Sequence, residues 1–134
     1  MGRRGVTLVE ILVVVVMIGI MTSMALPRFN RMRQQWRLES AAQQLVGDLH
    51  RARVQALKRN DYVDLDVTGA STYTIRFLGA RTLPDGVTFA EGAPAKVRFA
   101  AFGPALTGAS SYEVLYGSYE REIHVNAAGF ASIR

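Results

Sequence analysis

The sequence predicts an α+β chain: one long N-terminal helix followed by a run of short antiparallel strands. Three observations predict it. Residues 6–26 form a 21-residue apolar run with a single charge, Glu10. Apolar residues then recur at steps of three and four as far as Leu57. Beyond residue 60 the spacing switches to strict alternation, punctuated by Gly and Pro.

The apolar run sets the first element. As a helix it is about 31 Å long, enough to span a bilayer core of roughly 30 Å. It does not read as a cleaved secretory signal. Its apolar core is too long, Ser23-Met24-Ala25 leads into Leu26-Pro27-Arg28 without a clear small-x-small site, and the following flank is basic. Nor could a soluble domain this small bury every face of such a helix. The run is therefore expected to be a retained membrane helix. Charge counting leaves its orientation open, since Arg3 and Arg4 precede it and Arg28, Arg31, Arg33 and Arg37 follow it.

The stretch from residue 28 to 59 contains no Pro and one Gly. Leu38, Ala42, Leu45, Leu49, Ala52, Ala56 and Leu57 mark one apolar face, widened by Val46. Arg31, Arg37, Gln44, Asp48, Arg51, Gln55 and Lys58 are expected to face elsewhere. Pro27 lacks an N–H and is expected to kink or locally melt the helix where the apolar run ends.

Residues 62–67 alternate with Val63, Leu65 and Val67 inward, and after a turn near Gly69-Ala70-Ser71 the residues Tyr73, Ile75 and Phe77 alternate again. The matching register sets Val67 against Tyr73, Leu65 against Ile75 and Val63 against Phe77, with Asp64 opposite Arg76 on the solvent face. Further strands are expected over 86–89, 95–101, 112–116, 121–126 and 130–134.

Composition excludes several classes. The chain has 134 residues and no Cys, so it has no disulfide framework and no cysteine nucleophile. With only His50 and His124, a histidine-based metal centre is not expected. Ser110, Ser111 and His124 stand in no hydrolase context, and no phosphate loop is present. Asp61, Asp64 and Asp66 lack calcium-loop spacing. No enzyme activity, cofactor or metal is expected.

The net charge of +5 divides unevenly: +1 over residues 1–27, +6 over 28–59 and −2 over 60–134. The excess is a basic collar beside the apolar run. Anionic lipid or acids on neighbouring subunits suit it better than DNA, which would need a basic head.

The N-terminus carries a recognisable pattern: the basic leader Met1-Gly2-Arg3-Arg4-Gly5, then Val6-Thr7-Leu8-Val9-Glu10, then the apolar run. It resembles the class III signal of type IV pilins and type II secretion pseudopilins. Val6 replaces the usual Phe. The resemblance implies cleavage by a prepilin peptidase between Gly5 and Val6, N-methylation of Val6, and a Glu10 that pairs with the Val6 ammonium of a neighbour to set subunit register. An acid inside a membrane segment is costly, by about 2.5–3.5 kcal/mol, and points to function by default. In this family a Pro at position 27 lets the helix stretch.

The remainder is similar to the GspH/FimT-type minor pseudopilins. The matches are Ala52-Arg53 with Ala56 and Arg59-Asn60, then Leu83-Pro84-Asp85-Gly86-Val87. Val97-Arg98-Phe99 with Gly103, and Ile123-His124-Val125-Asn126 with Gly129, complete them. Gly129-Phe130-Ala131-Ser132 departs from relatives that carry a basic residue after the Gly.

The resemblance implies a type IV pilin-like fold with a leader (1–5), a transmembrane helix (6–26), an amphipathic helix (27–59) and a β-rich periplasmic head (60–134). It implies a single-pass inner-membrane protein built into a helical filament for type II secretion or type IV pilus assembly. Its partners would be other pilin or pseudopilin subunits, the prepilin peptidase, the inner membrane and a secreted substrate. The alternative is a DNA-binding minor pilin of a competence pilus.

Overall fold

The structure is a computed structural model. It describes the backbone of residues 7–134 and the side chains of all of these except 24–28. One helix, α1 (Leu8–Arg59), leads into eight strands: β1 (Val63–Val67), β2 (Thr72–Ile75), β3 (Gly79–Thr82), β4 (Thr88–Phe89), β5 (Lys96–Phe99), β6 (Ser110–Tyr116), β7 (Tyr119–Val125) and β8 (Ala131–Ile133). The chain divides into two compact units, one reaching to Arg33 and one over Gln34–Arg134.

Local chemistry fixes both ends of α1. Thr7 caps its start: the Glu10 N–H donates to Thr7 Oγ1 at 3.3 Å and to the Thr7 carbonyl at 3.1 Å. Glu10 also places a carboxylate in the first turn, where the helix dipole favours it. At the other end Asn60 takes φ +49° and the Asp61 N–H reaches back to the Ala56 carbonyl at 3.3 Å. This is the left-handed residue and six-to-one bond of a Schellman stop. Lys58 and Arg59 occupy the last turn, favourably for the dipole. The helix runs without a break through residue 27. Pro27 therefore does not end the helix, and its side chain lies outside the described residues.

The second unit is a two-sheet head on the amphipathic part of α1. One antiparallel sheet has the order β3-β2-β1-β5 and the other β4-β6-β7-β8. Leu38, Ala41, Ala42, Leu45, Leu49, Ala52 and Ala56 form the buried stripe of the helix. Val63, Leu65, Tyr73, Ile75, Val97 and Phe99 from the first sheet share its core with Phe89, Tyr112, Val114, Ile123 and Val125 from the second. The four alanines let the helix axis come close to the strands. Tyr73 and Phe89 meet edge to face at 6.0 Å between ring centroids.

The β1–β2 register is as the alternation predicts, with Leu65 opposite Ile75 and Val67 opposite Tyr73. The end of the hairpin differs. β2 stops at Ile75, and Phe77 takes φ +71° with its ring 46% exposed. Val63 faces Phe99 on β5 instead. β3 was not expected from sequence: its residues Gly-Ala-Arg-Thr are all exposed, so no alternation marks it.

Two charged residues also lie elsewhere than predicted. Arg76 does stand opposite Asp64, its N–H donating to the Asp64 carbonyl at 2.9 Å, but Asp64 is buried, only 7% exposed, and its side-chain partner is Arg98. Two arginine N–H groups reach its oxygens at 2.7 and 3.0 Å, and Lys96 adds a contact at 3.6 Å. The reason is sheet order: β1 is central, and β5 presents Arg98 directly opposite Asp64. Arg76 pairs with Asp61 at 3.3 Å.

Asp48 is likewise buried, at 3% exposure. It accepts from Tyr73 Oη at 2.7 Å and from Arg51 at 3.1 Å, while Gln44 donates to Tyr73 Oη at 3.2 Å and to the Thr82 carbonyl at 2.9 Å. Burial, then the Asp48 carboxylate, push the Tyr73 phenol well above its ordinary value. Leu57, counted with the apolar face, is 44% exposed at the edge of the stripe.

The hydrogen bonds from Arg98, partly offset by burial, hold the Asp64 carboxyl below its ordinary value of 3.8. A lowered folded value means the pair stabilises the head fully above the ordinary value. That stability is lost as pH falls through the folded value. Arg98→Gln should therefore lower the melting temperature near neutral pH. It should also narrow the difference in melting temperature between about pH 7 and about pH 3, as circular dichroism melts would register.

Candidate functional site

The first unit presents an apolar stem. Leu8, Val9, the run Ile11 to Ile18, Ile20 and Met21 are all exposed, from 46% at Val13 to 80% at Leu8. Soluble surfaces rarely show so continuous an apolar patch. Its polar side chains are satisfied from within: Thr22 Oγ1 donates to the Ile18 carbonyl at 2.7 Å and Ser23 Oγ to the Ile20 carbonyl at 2.8 Å. A helix with no hydroxyl in need of water suits an apolar medium. Gly19 has nothing within 4 Å of where a Cβ would stand, so this side of the stem is open to a close neighbour. Among the described residues no helical stretch is long and apolar enough to cross a membrane. The predicted span of 6–26 runs past them at Val6 and at the side chains of 24–26.

Of the predicted site residues, Glu10 sits exposed in the first turn of α1. It stands at the third helical position after its cap Thr7, the spacing of a capping box, which the sequence Thr7-Leu8-Val9-Glu10 already contained. Gly5 and Val6 lie outside the described residues.

The head brings together residues that are far apart in sequence. Arg53 Nε donates to the Gly103 carbonyl at 3.0 Å, fifty residues away, and its guanidinium lies 4.1 Å from the Phe130 ring centroid. Gly103 and Gly129 both have positive φ, +97° and +81°, and a Cβ on Gly129 would collide with the Gly103 carbonyl oxygen. Arg53, Gly103 and Gly129 are pieces of the motifs quoted above. The structure joins them as one clasp, tying the end of α1 to two turns of the head.

A second cluster covers the outer face of the first sheet. Arg98 and Arg76 lie over Tyr62 at 4.4 and 4.1 Å, and Arg76 and Arg59 lie over Phe77 at 4.6 and 4.3 Å. Nothing in the hydropathy pattern marks this ladder. Two of its arginines are paired: Arg76 with Asp61 and Arg98 with Asp64, while Lys96 bridges Asp64 and Asp66. Asp61, Asp64 and Asp66 are thus all engaged with basic side chains. His124 lies on β7 opposite Ser111, with Nδ1 and Oγ 3.1 Å apart. Among the described residues no cluster of His, Asp and Glu could hold a metal ion.

A long helix, apolar and exposed at its start and seated under antiparallel sheets at its end, defines the type IV pilin-like architecture. Residues 1–26 match the family model described as the prokaryotic N-terminal methylation motif. The crystal structure of the type IV minor pilin FimU of Pseudomonas aeruginosa superposes with a TM-score of 0.67 at 15% identity, covering 77% of this chain and 92% of that one. A second crystal form of the same pilin gives 0.63 at 16% identity, over 72% and 92%. The fold is that of a type IV minor pilin. The chain is similar to the pilin-like protein PilA1 of Thermus thermophilus, at 39% identity over 77 residues, or 56% of this chain. It spans about half the length of that relative, 48%.

The clasp has a measurable weight. Gly129→Ala should destabilise the head by about 2 kcal/mol or more, because it adds both a left-handed strain and a collision. For a head of this size that is a fall in melting temperature of about 8 °C or more. Arg53→Lys, which keeps the charge but removes the Nε donor, should cost about 1 kcal/mol.

Proposed function

We propose that the chain is a minor pilin or pseudopilin of the GspH/FimT type, a structural subunit of a helical filament anchored in the inner membrane. The observation that carries this reading is a single helix with two characters: an all-round apolar stem that lies within a methylation motif, and a one-sided stripe that seats a β-rich head. Residues 1–5 are the leader, removed by a prepilin peptidase between Gly5 and Val6. The new Val6 amine is methylated, and 6–26 remain as the anchor. Residues 27–59 carry the head, 60–134, on the periplasmic side.

In this reading Glu10 meets the Val6 ammonium of the neighbouring subunit. The opposite charges attract strongly because water is excluded. A subunit out of register leaves both charges unpaired in lipid, so the pair selects one axial step. Pro27 supplies no N–H to the helix, and that missing bond lets the helix extend during assembly. The machine served is type II secretion or type IV pilus assembly, with other pilin-type subunits and a secreted substrate as partners. The role is one of assembly, not catalysis.

Two variants test this. Gly5→Ala should leave the leader in place, so the protein keeps the slower gel mobility of the unprocessed form. Glu10→Ala should be cleaved and inserted normally, yet be recovered in sheared filaments at about a tenth of the wild-type amount or less. Normal incorporation of Glu10→Ala would overturn the register role. Unchanged mobility of Gly5→Ala relative to wild type would overturn processing at this site.

A further inference from the structure

We propose that the open edge of β3, with the groove between it and α1, takes an added strand: an extended, acidic segment of a different pilin-type subunit. This rests on the reading of the chain as a minor filament subunit and names how a neighbour of another kind is held.

The backbone of β3 is open on one side. In and beside β2, Thr72 and Arg76 turn their backbone groups to β1: the Thr68 N–H donates to the Thr72 carbonyl at 3.0 Å and the Arg76 N–H to the Asp64 carbonyl at 2.9 Å. Ser71, Tyr73 and Ile75 therefore serve β3, and the Leu83 N–H meets the Ser71 carbonyl at 2.8 Å. The same alternation leaves Ala80 and Thr82 with backbone groups directed away from the sheet. Gln44 donates to the Thr82 carbonyl at 2.9 Å. The Ala80 N–H and carbonyl and the Thr82 N–H have no partner among the described residues. The opposite edge of this sheet is covered, since the Leu106 N–H donates to the Arg98 carbonyl of β5 at 2.7 Å. An open edge is a template for another strand, and only an extended backbone completes it.

The groove beside this edge says what the strand carries. It holds about 190 Å³ and is lined by Gln43, Gln44, Gly47, Asp48, Arg51 and Arg81. Arg81 is the cross-strand partner of Tyr73 and shares its inner face. Asp48 answers Arg51 at 3.1 Å, whereas Arg81 has no ion pair or side-chain hydrogen bond among the described residues. Gln43, Gly47 and Arg51 stand four apart and form one row along α1. Gly47 is exposed within the helix, and a Cβ there would meet nothing within 4 Å. A glycine at such a position weakens the helix, and no contact inside the head asks for it. The close approach of a second backbone does. An antiparallel strand added to β3 sets one residue opposite Arg81 in a non-hydrogen-bonded pair, where side chains stand closest. A Glu or Asp there meets the free guanidinium. Two copies paired through β3 would instead bring their Arg81 side chains together, so the lone charge rejects a second copy and admits an acidic strand. The edge is permanently open, so its occupant is a standing neighbour rather than a passing cargo.

The chain has no Cys, so Ala80→Cys takes a benzophenone maleimide at one exposed place. The full-length protein is labelled in membranes of the cells that make it and irradiated, and the linked peptide is identified by mass spectrometry. A link to a different pilin-type subunit is expected, within a few residues of an Asp or Glu. Thr82→Pro removes an outward N–H and no bond of the sheet, and should cut the yield about tenfold. Arg81→Glu should cut it about as far, and replacing the partner's acid with Arg should restore it. Gly47→Leu fills the groove and should abolish the link. Unchanged melting of each variant, followed by circular dichroism, separates lost binding from lost folding. A link to a second copy, to lipid or to a secreted protein would overturn the proposal, as would a yield indifferent to Thr82→Pro or Arg81→Glu. Sheared filaments are collected from the same cells. Wild-type chain present in them with no link at Ala80→Cys overturns strand addition and leaves the filament reading standing. Absence of the wild-type chain from them overturns both.

Discussion

Burial of one helical stripe, Leu38 to Ala56, is the contact on which the rest of the head depends. Neither sheet has more than four strands, and neither could bury its inner face without a third layer. The helix supplies that layer. Each of Leu38, Leu45 and Leu49 contributes about 2 kcal/mol of burial, and the alanines between them allow the strands to approach. The same helix is exposed and apolar over its first part, where no head covers it. One continuous element thus faces two environments, and its sequence changes character accordingly.

Much of this was readable in the sequence because the two halves of α1 follow different rules. An unbroken apolar run and a three-four stripe are distinct patterns, and the core positions Leu38, Ala42, Leu45, Leu49, Ala52 and Ala56 follow from spacing. The hairpin register followed because a short turn between two alternating strands sets Leu65 against Ile75 and Val67 against Tyr73. Strand β3 was hidden because it is exposed on every residue and has no period to detect. Asp48 was misread by residue type. Its spacing, three after Leu45 and four before Ala52, already placed it on the buried side, but a carboxylate there makes sense only once Tyr73 is known to reach it. The Asp64–Arg98 pair needed the strand order, since nothing local says that β5 rather than β2 presents the arginine.

The functional positions divide the same way. The methylation motif and Glu10 are legible because both lie in one short contiguous stretch of sequence. The clasp of Arg53, Gly103 and Gly129 is visible in sequence only as separate fragments. Their connection is geometric: two turns with positive φ pass so close that only glycine fits, and the arginine closes over them. Charge tells a similar story. A net of +5 suggested a basic protein, whereas the head pairs its arginines with aspartates on one sheet and leaves acids facing outward on the other.

The clasp also bears on the order in which the head forms. The β1–β2 hairpin closes over a handful of residues, so its pairing costs little loop entropy. The Arg53–Gly103 bond spans fifty residues, and Gly129 lies further along still. Closing loops of that length costs entropy that local contacts cannot repay in advance. The end of α1 therefore stays uncovered until the later strands are in place. A chain stopped before Gly129 would lack β8 and the clasp, a less tightly closed intermediate whose lifetime is set by how fast the last residues arrive.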